Sequence, residues 1–394
     1  MKKGTYVPFF RKNKKNMEKT PSQCIIVSKV CIGGLILELY ELVILTDIIK
    51  LPKEDIKDIC IESGLDDSAN TIELARNIWR YADTPEKKEK LFKPYYHKFF
   101  AGQTSITWYR CDNLKGLSER IVQKEKINPF EKKIPYNKGE ISTVPKLRGA
   151  SKITPNKYFL RLIYKDGTKK HFTGEDIEIL PSETTATVYV DEEEGLIEVR
   201  AKSIDAQKIA EVISGYINQQ LSLYRQDFIK PFDYNLDIIA ETLEGVLYES
   251  KASPELWMDN CGYEENQAIL KVLSALDEYF ANNDIGALQD QLDTARQILG
   301  DELLESPFIA VILAGMGNVG LKVDEKDLRN TAFYQMLKPY LHPSGGYIRF
   351  NVTENGLTQE FSISIGMNTK SIYFKSKSTT ENVIKAVRDK LITS

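Results

Sequence analysis

Over the first hundred residues, apolar positions recur at helical rather than strand spacing. From Cys24 to Ile49, apolar clusters alternate with Glu38, Glu41 and Asp47, and Gly33-Gly34 marks a break. Leu51-Pro52-Lys53-Glu54-Asp55 opens a helix, with proline in the first turn and acids at the positive end of the dipole. Ile56, Ile59 and Cys60 give its buried stripe, and Gly64 ends it. After the polar turn from Asp66, Asn70 or Thr71 caps a second helix. Ile72, Leu74, Ala75, Ile78 and Trp79 lie mostly on its buried face. The period then shortens. Thr104 to Arg110 has the composition of a strand, and Tyr158 to Tyr164 alternates apolar and polar residues. Lys165-Asp166-Gly167 reads as a hairpin turn, with Lys169 to Phe172 as the return strand. Thr184 to Val190 and Leu196 to Ala201 form a second hairpin around the acidic turn 191–195, and a helix follows from Ala206 to Leu223. A long helical region is expected from Leu236 to about Leu341. Strands at Tyr347–Val352, Glu360–Gly366 and Ser371–Lys375 and a helix from Glu381 to Leu391 close the chain.

These patterns predict an α+β multidomain fold: a helical N-terminal module, central β-hairpins, a long helical segment, and C-terminal β-strands plus a helix. Six segments follow. They are 1–20, a basic flexible arm; 21–83, helical; 84–157, a basic aromatic and linker region; 158–225, β-hairpins plus helix; 226–341, helical; and 342–394, β-strands plus the terminal helix. Two strand-rich segments each end in a helix, as a duplicated unit would, although residue identity between them does not make a repeat.

Leu51 to Trp79 resembles a SAP module, the small helix–turn–helix unit of many DNA-binding and chromatin proteins. The likeness rests on Leu51, Ile56, Ile59 or Cys60, Gly64-Leu65, Ser68, Glu73-Leu74 and Ile78. It implies a helical hairpin and a DNA-associated role. The family's turn glycine is Ala69 here, its following lysine falls at Thr71, and its late arginine falls at Asn77 beside Arg76. The basic positions that usually meet DNA phosphates are therefore missing.

Charge changes the picture more than composition does. The 394 residues carry 53 Lys and Arg against 56 Asp and Glu, a net of −3. Residues 1–170 hold 34 cations against 20 acids, and residues 171–394 hold 19 against 36. The front is thus +14 and the rear −17. The surplus is densest over residues 91–170, with 18 cations against 6 acids, interleaved with Tyr95, Tyr96, Phe99, Phe100 and Trp108. Cations for phosphates beside rings for bases is the pattern of nucleic-acid binding, with DNA favoured. The candidate contacts are Lys93, Lys98, Trp108, Arg110, Lys115, Lys132, Lys133, Lys146 and Arg148. Each ring also fits a core position, and the lysines also fit the coat of a linker. The acidic rear is expected to bind a protein partner or to self-associate.

Other chemistry is sparse. Five scattered cysteines without a CxxC suit a reducing compartment and a cytoplasmic protein, and three isolated histidines do not make a metal site. No apolar stretch is long enough to span a membrane, and no membrane partner is expected. Gly315-Met316-Gly317-Asn318-Val319-Gly320 fits the dinucleotide fingerprint, yet Leu321 to Lys326 reads poorly as the helix the motif requires. Those glycines better end a helix, and no cofactor is expected. Glu175-Asp176-Ile177-Glu178 is the closest approach to a metal-dependent nuclease site, and a solvated turn explains it as well. The leading expectation is a non-enzymatic nucleic-acid-binding protein. Its lysine and isoleucine usage is prokaryotic or phage-like in style, which points to defence or mobile-element biology. The alternatives are a metal-dependent nuclease and an assembly subunit without nucleic acid.

Overall fold

A computed structural model of the chain describes residues 36–394, apart from 138–140, 175, 218–222, 255–262, 283–284, 300–318, 325, 355 and 394. The basic arm and the glycine run 315–318 lie outside the described residues, as do Glu175, Cys24, Cys31 and Cys261.

The chain starts with short helices: α1 Leu45–Lys50, α2 Lys53–Glu62, α3 Thr71–Tyr81, α4 Pro85–Phe92 and α5 Tyr96–Phe99. Local chemistry sets their ends. Gly64 terminates α2 at φ +68°, a backbone conformation that other residues adopt at a cost. The Asn70 side chain accepts hydrogen bonds from the Ile72 and Glu73 amides, both at 3.1 Å, and so caps α3. Thr84 caps α4 in the same way ahead of Pro85. Ile48, Ile56, Ile59, Leu74, Ile78 and Phe92 are fully buried together, giving this helical module its own core.

The remainder is built twice on one plan. The first half runs β1 Thr104–Arg110, α6 Leu117–Lys124, β2 Lys146–Thr154, β3 Lys157–Thr173, β4 Asp176–Asp191, β5 Leu196–Arg200 and α7 Ala206–Ser214. The second runs β6 Tyr224–Arg225, α8 Leu236–Thr242 and β7 Val246–Pro254. It then carries an insertion: a helical hairpin of α9 Tyr263–Asn282 and α10 Ile285–Leu299, then β8 Val319–Lys322 and α11 Ala332–Leu337. The plan resumes with β9 Leu341–Glu354, β10 Leu357–Gly366, β11 Ser371–Phe374 and α12 Glu381–Leu391. Each half is therefore strand, helix, four-stranded antiparallel meander, helix. The strands join in one sheet ordered β2-β3-β4-β5-β1-β11-β10-β9-β7-β8, with β6 also pairing with β1.

Register fixes which face each half covers. Ile106 of β1 pairs with Arg200 on one side and Ile372 on the other, so these three side chains share a face. Ile372 packs with Val383, Ile384 and Val387 of α12 and Ile239 of α8. One residue along, Thr107 pairs with Val199, which packs with Ile121 of α6 and Ile209 of α7 on the opposite face. The helices of the two halves thus lie on opposite sides of the sheet.

Several expectations change. The helical region expected from Leu236 to Leu341 contains two strands, β7 and β8, and its helices are separate. Lys165-Asp166-Gly167 is a bulge rather than a turn, with Gly167 at φ +86° and a register shift between Lys165 and Thr168. The hairpin instead turns at Gly174, φ +61°, so β3 and β4 extend as a two-stranded arm. The stretch expected to be a linker, 124–157, carries β2 and is paired along β3. The helix expected to reach Leu223 leaves regular geometry after Ser214.

Candidate nucleic-acid interface

On the first half, the face away from α6 and α7 is sealed. Rows across the sheet place Phe159 opposite Tyr189, Tyr189 opposite Glu198, and Glu198 opposite Trp108. The next row is Arg161, Thr187 and Arg200. The helical module covers it. Asp47 pairs with Arg161 at 2.8 Å, the Phe100 ring lies 4.5 Å beneath the Arg161 guanidinium, and the Phe100 carbonyl accepts from Arg200 at 3.0 Å. α12 covers the rest through Glu381 on Arg200 and Arg388 on Glu198 at 3.0 Å. Glu198 is wholly buried and also accepts from Trp108 Nε1 at 3.0 Å and Arg200 Nη2 at 2.6 Å. Burial pushes its carboxyl up, but Arg200 and Arg388 outweigh burial and hold it below the usual carboxylate range. The same ion pairs raise Arg200 against its own burial.

On the second half, the corresponding face is open. Ile348, Phe350, Phe361, Ile363, Ile365, Ile372 and Phe374 point into the core, and their alternates point outward. Tyr347, Ser364 and Tyr373 form one outward row across β9, β10 and β11. Arg349 and Ser362 stand opposite each other in the next row, where the Lys375 amide donates to the Ser362 carbonyl at 3.1 Å. Both halves therefore place an aromatic two residues before an arginine on the first strand, and a hydroxyl opposite that arginine on the next: Phe159, Arg161 and Thr187 in one, Tyr347, Arg349 and Ser362 in the other. Tyr248 of β7 lies 5.8 Å from the Tyr347 ring, and its hydroxyl bonds Ser362 at 2.8 Å. Lys251 and Lys375 sit 5.3 and 5.6 Å over Tyr347, and Arg349 sits 4.8 Å over Tyr248.

Beside these rings is a cleft of about 430 Å³ lined by Lys322, Arg349 and Lys375, by Tyr248, Ser362 and Ser376, and by the acids Asp324 and Glu360. Arg349 donates to the Asp324 carbonyl at 2.9 Å, and its Nε is buried with no hydrogen-bond partner.

The cations singled out from sequence do not share one face. Trp108 is fully buried, with its ring 5.8 Å from Phe228, so it is a core residue and not a platform for a base. An apolar neighbour on each strand and a buried carboxylate for its N–H hold it there. Lys98 is paired with Asp55 at 2.7 Å, and Lys93 with Glu89 at 2.8 Å. Arg110 donates to the carbonyls of Glu194 and Ile392 and, with Lys115, lines a cleft of about 350 Å³ against Glu192, Glu193 and Glu194. Lys115 and Arg110 thus face the acidic turn. Glu192 is structural: it accepts from the Gly116 and Ser118 amides at the start of α6, both at 2.8 Å. Lys146 opens β2 at the sheet edge and is exposed, as is Lys132. Lys133 and Arg148 come together there with Lys88. Burial first, and then the Lys88 charge, push the Lys133 ammonium down to about 8. Arg148 bonds the Ile134 carbonyl and stacks 4.1 Å over Tyr136.

The tyrosine row escaped the sequence because the strands read correctly but nothing local says which of their faces is covered. The signal present was the alternation Tyr347, Arg349 and Tyr373, Lys375. Asp176 and Glu178, from the motif nearest a metal site, lie exposed on the two-stranded arm. Among the described residues, no cluster of three His, Cys, Asp or Glu side chains is placed to hold a metal, and no helix is long and apolar enough to cross a membrane. Val319 and Gly320 begin strand β8, so no helix follows the glycine run. No protein-family model matches the chain, and no curated protein matches it.

Proposed function

We propose that the protein binds nucleic acid without chemically altering it, through the open face of the second half. The observation that carries this reading is the outward row Tyr347–Ser364–Tyr373 flanked by Arg349 and Lys375. Rings on a sheet surface offer stacking to any base, and adjacent cations offer phosphate contacts. The Lys88, Lys133 and Arg148 cluster supports a second, sequence-independent phosphate contact, because crowded cations are relieved by an anion. The SAP-like pair α2–α3 supports DNA as the nucleic acid. Fluorescence anisotropy with a labelled 20-mer tests the reading across a salt series. Affinity is expected to fall log-linearly with salt, with a slope of about −0.7 per phosphate contacted on a single strand. A flat salt response or no binding refutes it.

A second role, association with another protein or another copy, is favoured by the β3–β4 arm. Phe172, Ile177 and Ile179 are 57–68% exposed there on one face. A two-stranded ribbon is marginally stable alone, and a partner would bury these side chains. Sedimentation of the wild type against Phe172→Ser tests it: a shift to a smaller species supports the role, and identical profiles remove it.

A further inference from the structure

Whether the open face selects a paired or an unpaired strand follows from its geometry, and this step rests on the nucleic-acid reading above. Tyr347 and Tyr373 stand two strands apart, because Ser364 of β10 lies between them in the row. At about 4.8 Å per strand, their ring positions are roughly 10 Å apart. Bases in a duplex are stacked about 3.4 Å apart along each strand and turn only their edges outward. Neither spacing nor orientation lets two rings in a flat row each meet a base face of an intact helix. A chain with its bases unstacked satisfies both.

The cleft next to the row supplies the backbone contact. It is lined by three cations, Lys322, Arg349 and Lys375, and by the hydroxyls of Ser362 and Ser376. Arg349 keeps a buried donor, Nε, without a partner, which is unusual for a charged group taken out of water. The carboxylates Asp324 and Glu360 line the same cleft, so the net positive charge is small. Stacking rather than charge then carries most of the affinity.

We infer that this face is a single-strand site: two bases splay onto Tyr347 and Tyr373 while a phosphate of the same strand sits in the cleft at Arg349 and Lys375. The first half explains why the molecule has one such site. There the equivalent aromatic and arginine, Phe159 and Arg161, are occupied by Phe100 and Asp47 of the helical module.

The test uses the full chain with labelled oligo(dT)20, oligo(rU)20 and a mixed-sequence 20-base-pair duplex. The single strands are expected to bind at least tenfold tighter than the duplex. Tyr373→Ala should weaken single-strand binding by roughly 5- to 150-fold, the equivalent of one base–ring stack, and Tyr373→Phe should retain it. Lys375→Glu should weaken binding and flatten the salt slope by about one contact, and Glu360→Gln should tighten binding. Thermal melts of each variant report folding independently of binding. Duplex binding as tight as single-strand binding and indifferent to Tyr373 overturns the single-strand inference and leaves the nucleic-acid reading standing. Absence of binding to all three probes overturns both. Single-strand binding unaffected by Tyr373→Ala and Lys375→Glu shows the site to lie elsewhere and overturns the assignment.

Discussion

Replacing Glu198 by glutamine isolates the interaction that joins the two halves. The wild-type carboxylate is wholly buried and takes hydrogen bonds from Trp108 Nε1 at 3.0 Å, Arg200 Nε at 2.8 Å and Arg388 Nη1 at 3.0 Å. Glutamine keeps the volume but removes the charge. Arg200 keeps Glu381, whereas Arg388 keeps only the face of the Tyr189 ring, 4.7 Å away. Breaking a buried pair from one side typically costs about 3–5 kcal/mol, because the surviving charge has lost its return for desolvation. At about 2.1 cal/mol/K per residue, unfolding of the 33–394 unit carries roughly 0.75 kcal/mol/K, so the melting midpoint should fall by about 4–7 °C. The sign with pH is fixed as well. The folded pKa of Glu198 is depressed, so the stabilisation is present above its unfolded pKa, ordinarily near 4.5. It is lost as pH falls through the lower folded value. The gap between wild type and Glu198→Gln should therefore close as the protein is acidified below that point. Differential scanning calorimetry from pH 7 to pH 3 reads both quantities. A midpoint within 1 °C of wild type at neutral pH, or a gap that widens with acid, refutes the reasoning.

Asp47→Asn should loosen the helical module from the sheet, since it leaves Arg161 buried against Phe100 with neutral partners only. Limited proteolysis should then cut between residues 100 and 104 faster than in wild type, and an unchanged digestion rate argues against the pairing. Gly195→Ala should destabilise by about 2 kcal/mol or more, because its φ is +62° and a Cβ there would lie 2.4 Å from the Cys111 carbonyl oxygen; urea titration measures it. Lys133 should titrate near 8 in ¹³C-methylated protein. Because its folded pKa lies below the unfolded 10.5, its charge destabilises fully below about 8 and ceases to do so above 10.5. Lys133→Met should therefore raise the melting midpoint at pH 7 but not at pH 11.

Where the sequence was legible, local chemistry and burial agreed. α2 and α3 carry proline, capping asparagine and terminal glycine at their ends, and their apolar faces are the buried ones. β5, β9, β10 and β11 alternate cleanly, and α12 begins at a threonine cap. β7 was hidden because a bulge at Tyr248, between Leu247 and Glu249, breaks its period of two. Asp166-Gly167 mimics a turn, since a bulge and a hairpin both require a glycine in the left-handed region. The charge split was real in the sequence, but its cations dispersed onto local acids: Lys98 on Asp55, Lys157 on Asp191 and Arg161 on Asp47. The open tyrosine row depended on what residues far along the chain left uncovered, and no window of sequence contains that information.

Setting the helices of the two halves on opposite sides gives the molecule a polarity. The helical module and the tyrosine row look in contrary directions, separated by the thickness of one pleated layer. A ligand on either leaves the other unobstructed, so the protein can act as a rivet, gripping one thing in front and another behind at the same moment.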